Sequence, residues 1–473
     1  MDISLNPATL LSGQGIDVSS VVQQVLSSSE GPLNEWQSEQ STLQSQASDL
    51  NVLNSDLSNL ATAVQVLSDP LGALTAVSAT SSDESVLSAT ATTSAAAGTH
   101  QIVVNSLATQ GLVYTNSFSA GADTSFLPSG ATSGEVDLQV GGGATQAITL
   151  TADSNDTLNS LASYINSQSF GVTASVITDS TGSRLALLSQ ATGTTGALAI
   201  TSNNTNLVFN APSGGTNASL TIDGIPYSSA SNTITSAISE VTINLAGAAP
   251  GSPVQLSIGP DITQATNAVN NFVSAYNQVI GDINQEFTVN AGTNNEGPLG
   301  SDTALRSLQS SLLSDVTYAV SGDGGLVNLS SLGINMNDDG TLTAGSSPTG
   351  QTLSQVLSSN PTAFVNFFQN ASSTGFANNF NTDLTNLTDP TLGVLNVDLT
   401  QNKAQQQTLS DNISNFETQL TAEQQSLTTQ FDQVNASLQA YPLLLQQVTE
   451  TLGTLSTQAG SSDALSPTLT SGL

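Results

Sequence analysis

The chain contains no cysteine and very little positive charge. Its 473 residues include three Lys or Arg, one His and 36 Asp or Glu, for a formal net charge of −33. Without cysteine there are no disulfides, thiol nucleophiles or thiolate metal sites. The three cations are Arg184, Arg306 and Lys403. Because they are scattered, they cannot neutralise a run of phosphates, which argues against binding to nucleic acid or to an anionic membrane surface.

Long apolar runs are also missing. No stretch of about 18 apolar residues is present, which is the length that a membrane-spanning helix needs. Residues 1–20 lack the basic start and the apolar run of a Sec-type signal peptide. We therefore expect neither membrane insertion nor a cleaved signal of that type.

The sequence contains few residues of the kinds that catalyse reactions. The single histidine, His100, cannot form a histidine metal cluster, and no second histidine can serve as the base of a nucleophile. A hydrolase with paired carboxylates stays as an alternative, but 36 acidic residues form pairs by chance. We predict no enzyme activity, no catalytic residue, no cofactor and no metal.

Two sets of heptad rows lie near the two ends of the chain, and such rows are typical of helices that pack lengthwise. The N-terminal rows are Trp36, Leu43, Leu50, Leu57 and Val64, with Leu53, Leu60 and Leu67. The C-terminal rows begin with Ile413, Leu420, Leu427, Val434, Phe431 and Leu438, and continue through Tyr441, Leu445, Val448, Leu452 and Leu455. We predict that the residues from Trp36 to Leu67 and from Ile413 to Leu438 serve helix packing and assembly. Trp36 fits either an anchor within the chain or a contact between subunits.

Capping and proline signals place the ends of the terminal helices. Asp17 can cap a helix over residues 17–30, and Asp69-Pro70 should end a helix over 33–68. The last long helix is predicted over 402–440. Pro442 should end or kink it, although the heptad register continues past this point.

The middle of the chain changes to a period of two residues. Glu135–Val140 and Val241–Leu245 alternate apolar and polar side chains, as half-buried strands do. A helix is predicted over 156–167, and the helical period returns after Asp261. Further helices should begin at Ser301 or Asp302 and at Asn360-Pro361.

These patterns predict an α+β multidomain fold, in which long terminal helices form a coiled-coil-like leg and a β-rich head of one or two small domains is inserted. The predicted divisions are 1–45 (N-terminal mobile or assembly helix), 46–77 (leg), 78–190 (head), 191–258 (second head region), 259–440 (leg) and 441–473 (C-terminal mobile or assembly segment). Segments 1–45 and 441–473 should stay mobile until assembly covers their apolar stripes. The positions flanking the N-terminal seam carry no opposite charges, so partner choice there is not ionic.

One acidic loop resembles a calcium site. Residues 335–340, Asn-Met-Asn-Asp-Asp-Gly, match the opening of an EF-hand loop, but Ser346 stands where the loop needs its bidentate Glu. We therefore predict a hairpin turn between Ile334 and Leu342 instead of a metal site.

Several short motifs occur in an order that resembles the flagellar filament cap proteins, the flagellar hook-associated protein 2 family. They are Gly15-Ile16-Asp17 with Val21-Val22, Gly171–Val176 with Thr181–Leu185, Thr221–Gly224 with Ser231–Ile234, Phe272–Asn277, Gly297–Leu299, Leu332–Ile334 and Leu427–Phe431. The likeness extends over nearly the whole chain.

The resemblance implies an extracellular protein at the distal tip of the bacterial flagellum. Such proteins leave by flagellar type III export without a cleaved signal peptide, with an export chaperone as partner. They assemble as a homo-oligomeric ring, four to six copies being expected, which promotes folding and insertion of exported flagellin. Host-glycan binding has no support in the sequence. The alternative is a related extracellular filament, hook-junction or surface adhesion protein with the same nested helices and β head.

Overall fold

A computed structural model describes residues 17–460, apart from 153, 290, 291, 293, 294, 322, 323 and 371. The outer parts of the predicted segments 1–45 and 441–473, and the Gly15-Ile16 motif, lie outside the described residues. Within them the α-helices are α1 (Val18–Ser29), α2 (Gly31–Ser68), α3 (Leu158–Ser167), α4 (Ile262–Phe287), α5 (Thr303–Val316), α6 (Leu353–Ser359), α7 (Pro361–Phe368), α8 (Phe376–Leu387) and α9 (Val394–Gly460).

The strands fall mostly between α2 and α4. They are β1 (Val77–Ser81), β2 (Leu87–Ala91), β3 (Gly98–Ser106), β4 (Gln110–Tyr114), β5 (Ser133–Val140), β6 (Gln146–Thr151), β7 (Val172–Asp179), β8 (Gly182–Thr192), β9 (Leu198–Asn203), β10 (Ala218–Ile222), β11 (Ile225–Ser229), β12 (Thr233–Ile238), β13 (Val241–Leu245), β14 (Val254–Pro260), β15 (Ile334–Met336) and β16 (Leu342–Ala344). The predicted fold class, a helical leg with an inserted β-rich head, is confirmed.

Helix starts follow the capping signals in the sequence. As predicted, the Asp17 carboxylate accepts a hydrogen bond from the Ser20 N–H (3.3 Å) and caps α1. Asp302 caps α5 by accepting from the Ala304 N–H (2.7 Å). At the other end of α2, Asp69 is extended before Pro70, which ends the helix.

The helices of the leg share one hydrophobic core. Helix α2 packs against α4, α8 and α9, and its contribution to this core is Leu50, Leu53, Leu57, Leu60, Val64 and Leu67. Phe272 of α4 lies edge-on to Phe376 and Phe380 of α8, with ring centroids 5.7 and 5.9 Å apart. Each ring adds apolar burial and a favourable edge-to-face contact.

Two β cores form the head. In the first, the antiparallel sheet β1-β14-β3-β10-β11 and the sheet β12-β13-β2 enclose residues such as Val104, Leu220 and Leu256. In the second, the sheets β4-β8-β7 and β6-β5-β9 with α3 enclose residues such as Phe126 and Leu187.

The predicted division of the head at residues 190 and 191 is wrong. Strands β4 to β9 build the second core and lie in the chain between β3 and β10, which pair with each other in the first core. The second core is therefore an insertion within the first. Alternation of apolar residues identifies strands but not their partners, so this pairing between distant segments leaves no local signal.

The predicted hairpin after Ile334 is confirmed. Strands β15 and β16 pair with Ile334 opposite Ala344 and Met336 opposite Leu342. Gly340 in the turn has φ +82°, a conformation that suits glycine. The acidic loop resembling an EF-hand is therefore the turn of a short β-ribbon.

The predicted bounds of the last helix are wrong at both ends. Helix α9 begins at Val394, and Pro442 lies inside it. Leu395 and Leu399 are buried in the leg core, which holds the first two turns in place. Pro442 removes one backbone donor, opposite the Leu438 carbonyl, but the surrounding segment is exposed, so water can satisfy that carbonyl. No helix among the described residues has the length and apolarity to cross a bilayer.

Candidate functional site: the seams of the long C-terminal helix

The long helix α9 makes its first seam with α2. Leu43 of α2 and Leu409 and Ile413 of α9 are buried against each other, with Leu33 and Trp36 packed around them. Trp36 meets Phe416 of α9 edge-to-face, with ring centroids 5.4 Å apart. The seam is thus closed by aliphatic side chains and one aromatic pair.

A layer of amides interrupts this apolar seam. Asn402 is 6% exposed, and its Nδ2 donates to Gln46 Oε1 at 3.3 Å. Gln406 Nε2 donates to Asn402 Oδ1 at 2.5 Å and to the Leu43 carbonyl at 3.2 Å. Gln46 Nε2 in turn donates to the Pro298 carbonyl at 2.9 Å. Polar residues at seam positions fix the register of paired helices, because any other alignment leaves them unsatisfied.

The second seam joins α9 to α1. Val18, Val22 and Leu26 are buried on one face of α1 and pack against Leu420, Leu427 and Phe431, which are half-buried. The cluster is small, since three short apolar side chains are all that α1 buries. This contact contributes far less burial than the leg core does.

Beyond Phe431 the apolar stripe of α9 has no cover among the described residues. Tyr441 is 62% exposed and Leu452 60% exposed. The other exposed members are Val434, Leu445, Val448 and Leu455, and Leu443 and Leu444 are exposed beside the stripe but out of its register. Large apolar residues repeated along one exposed stripe indicate a surface that binds a partner.

The structure places the predicted packing residues in four environments. Leu50, Leu53, Leu57, Leu60, Val64 and Leu67 lie in the leg core. Trp36, Leu43 and Ile413 lie in the seam between α2 and α9, and Leu420, Leu427 and Phe431 in the seam with α1. Leu438 is half-buried and Val434 is 48% exposed. The two heptad sets therefore meet over a short stretch instead of along one continuous seam.

Sequence reasoning missed a further row on α9. Leu395, Asn402, Leu409 and Phe416 recur every seven residues, and the last three of them lie three residues after Leu399, Gln406 and Ile413. The two amides hid this row, because a search for apolar repeats skips them. Helix α8, with Phe376, Phe380 and Leu384 at helical spacing, was also missed.

The polar contacts between the helices of the leg are made by amides and carboxyl groups. Asn54 Nδ2 on α2 donates to Asn396 Oδ1 on α9 at 2.7 Å. Burial raises the pKa of Asp49, and burial together with a hydrogen bond to Asp282 raises that of Asp56. Among the described residues, the ion pairs lie in the head, His100 with Asp223 and Arg184 with Asp179.

The acids of the leg lie in groups. Asp56 is beside Asp282, Asp315 beside Asp383 and Asp398 beside Asp302, and Asp49, Asp282 and Glu286 line a small cleft. No group of three or more His, Asp or Glu in the described part of the chain could hold a metal ion. The site is therefore a set of packing surfaces.

Comparison with known families agrees with this division of the chain. The family models described as "Flagellar hook-associated protein 2 N-terminus" and "Flagellar hook-associated protein 2 C-terminus" match residues 14–111 and 215–441. The model "Flagellin hook IN motif" matches residues 136–194. The two terminal models thus flank the second head core, and the third lies within it.

Individual relatives give the same result. The chain is 30% identical to the B-type flagellar hook-associated protein 2 of Pseudomonas aeruginosa over 414 residues, 80% of this chain and 83% of that protein. It is 26% identical to the A-type protein of Pseudomonas aeruginosa over 365 residues, 69% and 74% of the two chains. The crystal structure of the D1-D2-D3 domains of the flagellar cap protein FliD from Escherichia coli is 25% identical, with a TM-score of 0.56, over 75% of this chain and 99% of that one. The chain therefore belongs to the flagellar hook-associated protein 2 family, the cap proteins of the flagellar filament.

Proposed function

We propose that this chain caps the distal tip of the growing flagellar filament as a homo-oligomeric ring of four to six copies and promotes folding and insertion of exported flagellin. It does so as a structural protein, without catalysing a reaction. Family membership supports the capping role over an adhesion or hook-junction role.

The observation that carries the proposal is the uncovered apolar stripe of α9. It continues the heptad register of the two seams, and the chain around it is otherwise strongly anionic. Self-repulsion of polyanionic copies must be offset by apolar contact, because the chain has three basic residues for ionic pairing. We assign this stripe, Val434 to Leu455, to contacts made during assembly.

The remaining parts of the proposal concern the route and the partners. Export through the flagellar type III channel as a largely unfolded chain, with an export chaperone, is compatible with the absence of cysteine, since no disulfide has to be reduced for passage. Flagellin is the proposed folding client beneath the ring. The extracellular filament tip is the proposed location.

Deletion of the gene tests the proposal. The expected phenotype is loss of filaments with secretion of unpolymerised flagellin, restored by the wild-type chain. A double variant, Leu445→Ser with Leu452→Ser, should be secreted but fail to restore filaments, whereas Gln446→Ser, an exposed neighbour on the same helix, should restore them. Normal filaments in the deletion strain contradict the capping role. Light scattering and electron microscopy of the purified full-length chain give the copy number.

A further inference from the structure

The leg core contains a pair of carboxyl groups. Asp315 of α5 is 5% exposed, and the carboxyl of Asp383 on α8 lies beside it, close enough to share a proton. Two adjacent carboxylates repel each other when both are ionised, so a buried pair of this kind favours the state in which one of them carries a proton. The pair lies at the packed contact between α5 and α8.

The surroundings of the pair supply no positive charge. From α4, the buried Tyr276 faces Asp315, and neither its hydroxyl nor Asp315 Oδ2 has a hydrogen-bond partner among the described residues. From α9, which also contacts α5, Asp398 lies beside Asp302 at the start of α5. After α5, the Tyr318 hydroxyl donates to the Thr374 carbonyl instead.

The basic residues of the leg are engaged or remote. Arg306 of α5 donates to the Gly300 carbonyl and covers the Phe287 ring, and Lys403 of α9 is exposed. Among the described residues, no cation forms an ion pair with Asp315 or Asp383. An ionised Asp315 would therefore be a buried charge without compensation.

We propose that Asp315 and Asp383 form a carboxyl latch, in which the folded leg retains one proton between α5 and α8 and loses stability when that proton is released. Burial, then the hydrogen bond and repulsion from Asp383, raise the pKa of Asp315 to about 8. The same carboxyl in the unfolded chain has its ordinary value of 3.8. Between these values unfolding releases the proton, so stability is greatest in acid and falls as the pH rises.

The latch is part of a wider pattern in the leg. Asp56 of α2 lies beside Asp282 of α4, and Asp398 of α9 lies beside Asp302 at the start of α5. The pKa values of Asp56 and Asp398 are raised, chiefly by burial. Both pairs act in the same direction as the latch, whereas Asp339 and Asp389, whose pKa values are lowered by hydrogen bonds, act in the opposite direction at lower pH.

The experiment measures unfolding of the full-length chain by urea from pH 5 to pH 9, followed by far-ultraviolet circular dichroism and by Trp36 fluorescence. For the wild type, the folding equilibrium constant should fall with rising pH, by about tenfold per unit for each proton released. Asp315→Asn keeps a donor toward Asp383 without a titrating proton. It should flatten the slope by one proton and be more stable than the wild type at pH 8.5.

Matched variants make the result decisive. Asp432→Asn, an exposed carboxylate of α9 outside the leg core, should leave the slope unchanged. If Asp315→Asn does not fold, two other measurements test whether the folded pair binds one proton. One is the pH slope of Asp383→Asn, and the other is the number of protons that the wild type releases on unfolding at pH 6.5. Equal slopes for the wild type and the latch variants, or no proton release by the wild type, overturn the proposal.

Discussion

Trp36 of α2 and Phe416 of α9 stand edge-to-face, with ring centroids 5.4 Å apart and ring planes at 78°. This geometry places the positive edge of one ring against the negative face of the other. The sequence left Trp36 open as an anchor within the chain or as a contact between subunits. The contact with Phe416 anchors it within the chain, while its half-buried state leaves part of the indole accessible.

Substitution of Phe416 by Leu should disturb this anchor without emptying the seam. We expect a loss of about 1 kcal/mol, the usual contribution of an aromatic pair beyond its apolar area. Trp36 is the only tryptophan, so its emission maximum should move to longer wavelength as the indole gains water. Urea unfolding followed by fluorescence measures both effects. Tyr441→Leu, an exposed aromatic on the same helix, is the control, and an unshifted emission in Phe416→Leu would contradict the assignment.

Asn402 should contribute more to stability than an exposed amide does. Asn402→Ala leaves Gln46 Oε1 without its donor and removes one of the two acceptors of Gln406 Nε2, which should cost about 1–3 kcal/mol. Circular dichroism during urea unfolding gives the difference from the wild type. Gln425→Ala, an exposed amide of α9, should change stability by less than about 0.5 kcal/mol. Equal small effects for the two variants would mean that the amide layer does not fix the seam.

The seams show what a sequence of this kind reveals and what it hides. The seven-residue step of Leu50 and Leu57 identified the buried face of α2, because periodicity depends on local geometry. It did not identify the partner, and these leucines pack against α4 and α8 as well as α9. The same limit explains the head, where β3 pairs with β10 across an inserted domain.

Rules that assign helix ends from single residues also fail when the surrounding structure outweighs them. Proline predicts the end of a helix, yet α9 continues through Pro442, since one lost hydrogen bond in an exposed helix is offset by the turns on both sides. No pattern in the sequence predicted the carboxyl latch. Asp315 and Asp383 are far apart in sequence, and burial of an acid is visible only after the helices are packed.

Amide exchange should separate the leg core from the terminal segments. We expect fast exchange at residues 441–473 in an isolated monomer, because the apolar stripe beyond Phe431 has no partner there, and protection of the same residues in the assembled ring. Residues 18–45, which pack on α9 through two small apolar clusters, should exchange at an intermediate rate in the monomer. Peptides spanning 50–67, which carry the fully buried leucines of α2, are the internal control and should be protected in both states. Strong protection of the terminal segments in the monomer would contradict the idea that they dock on assembly.

Replacement of Pro442 by Ala should strengthen the end of α9 alone. Alanine restores the backbone donor toward the Leu438 carbonyl and removes the steric clash of the ring, worth up to about 3 kcal/mol in a helix interior. Exchange of the amides between residues 438 and 450 should slow accordingly. The urea midpoint of the leg should not move, since residues 441–460 contribute nothing to its buried core. Gln439→Ala, an exposed neighbour with similar helix propensity, should leave both measurements unchanged. If Pro442→Ala slows no amide beyond residue 438, the proline is not the weak point of this helix, and the exposed stripe itself limits its stability.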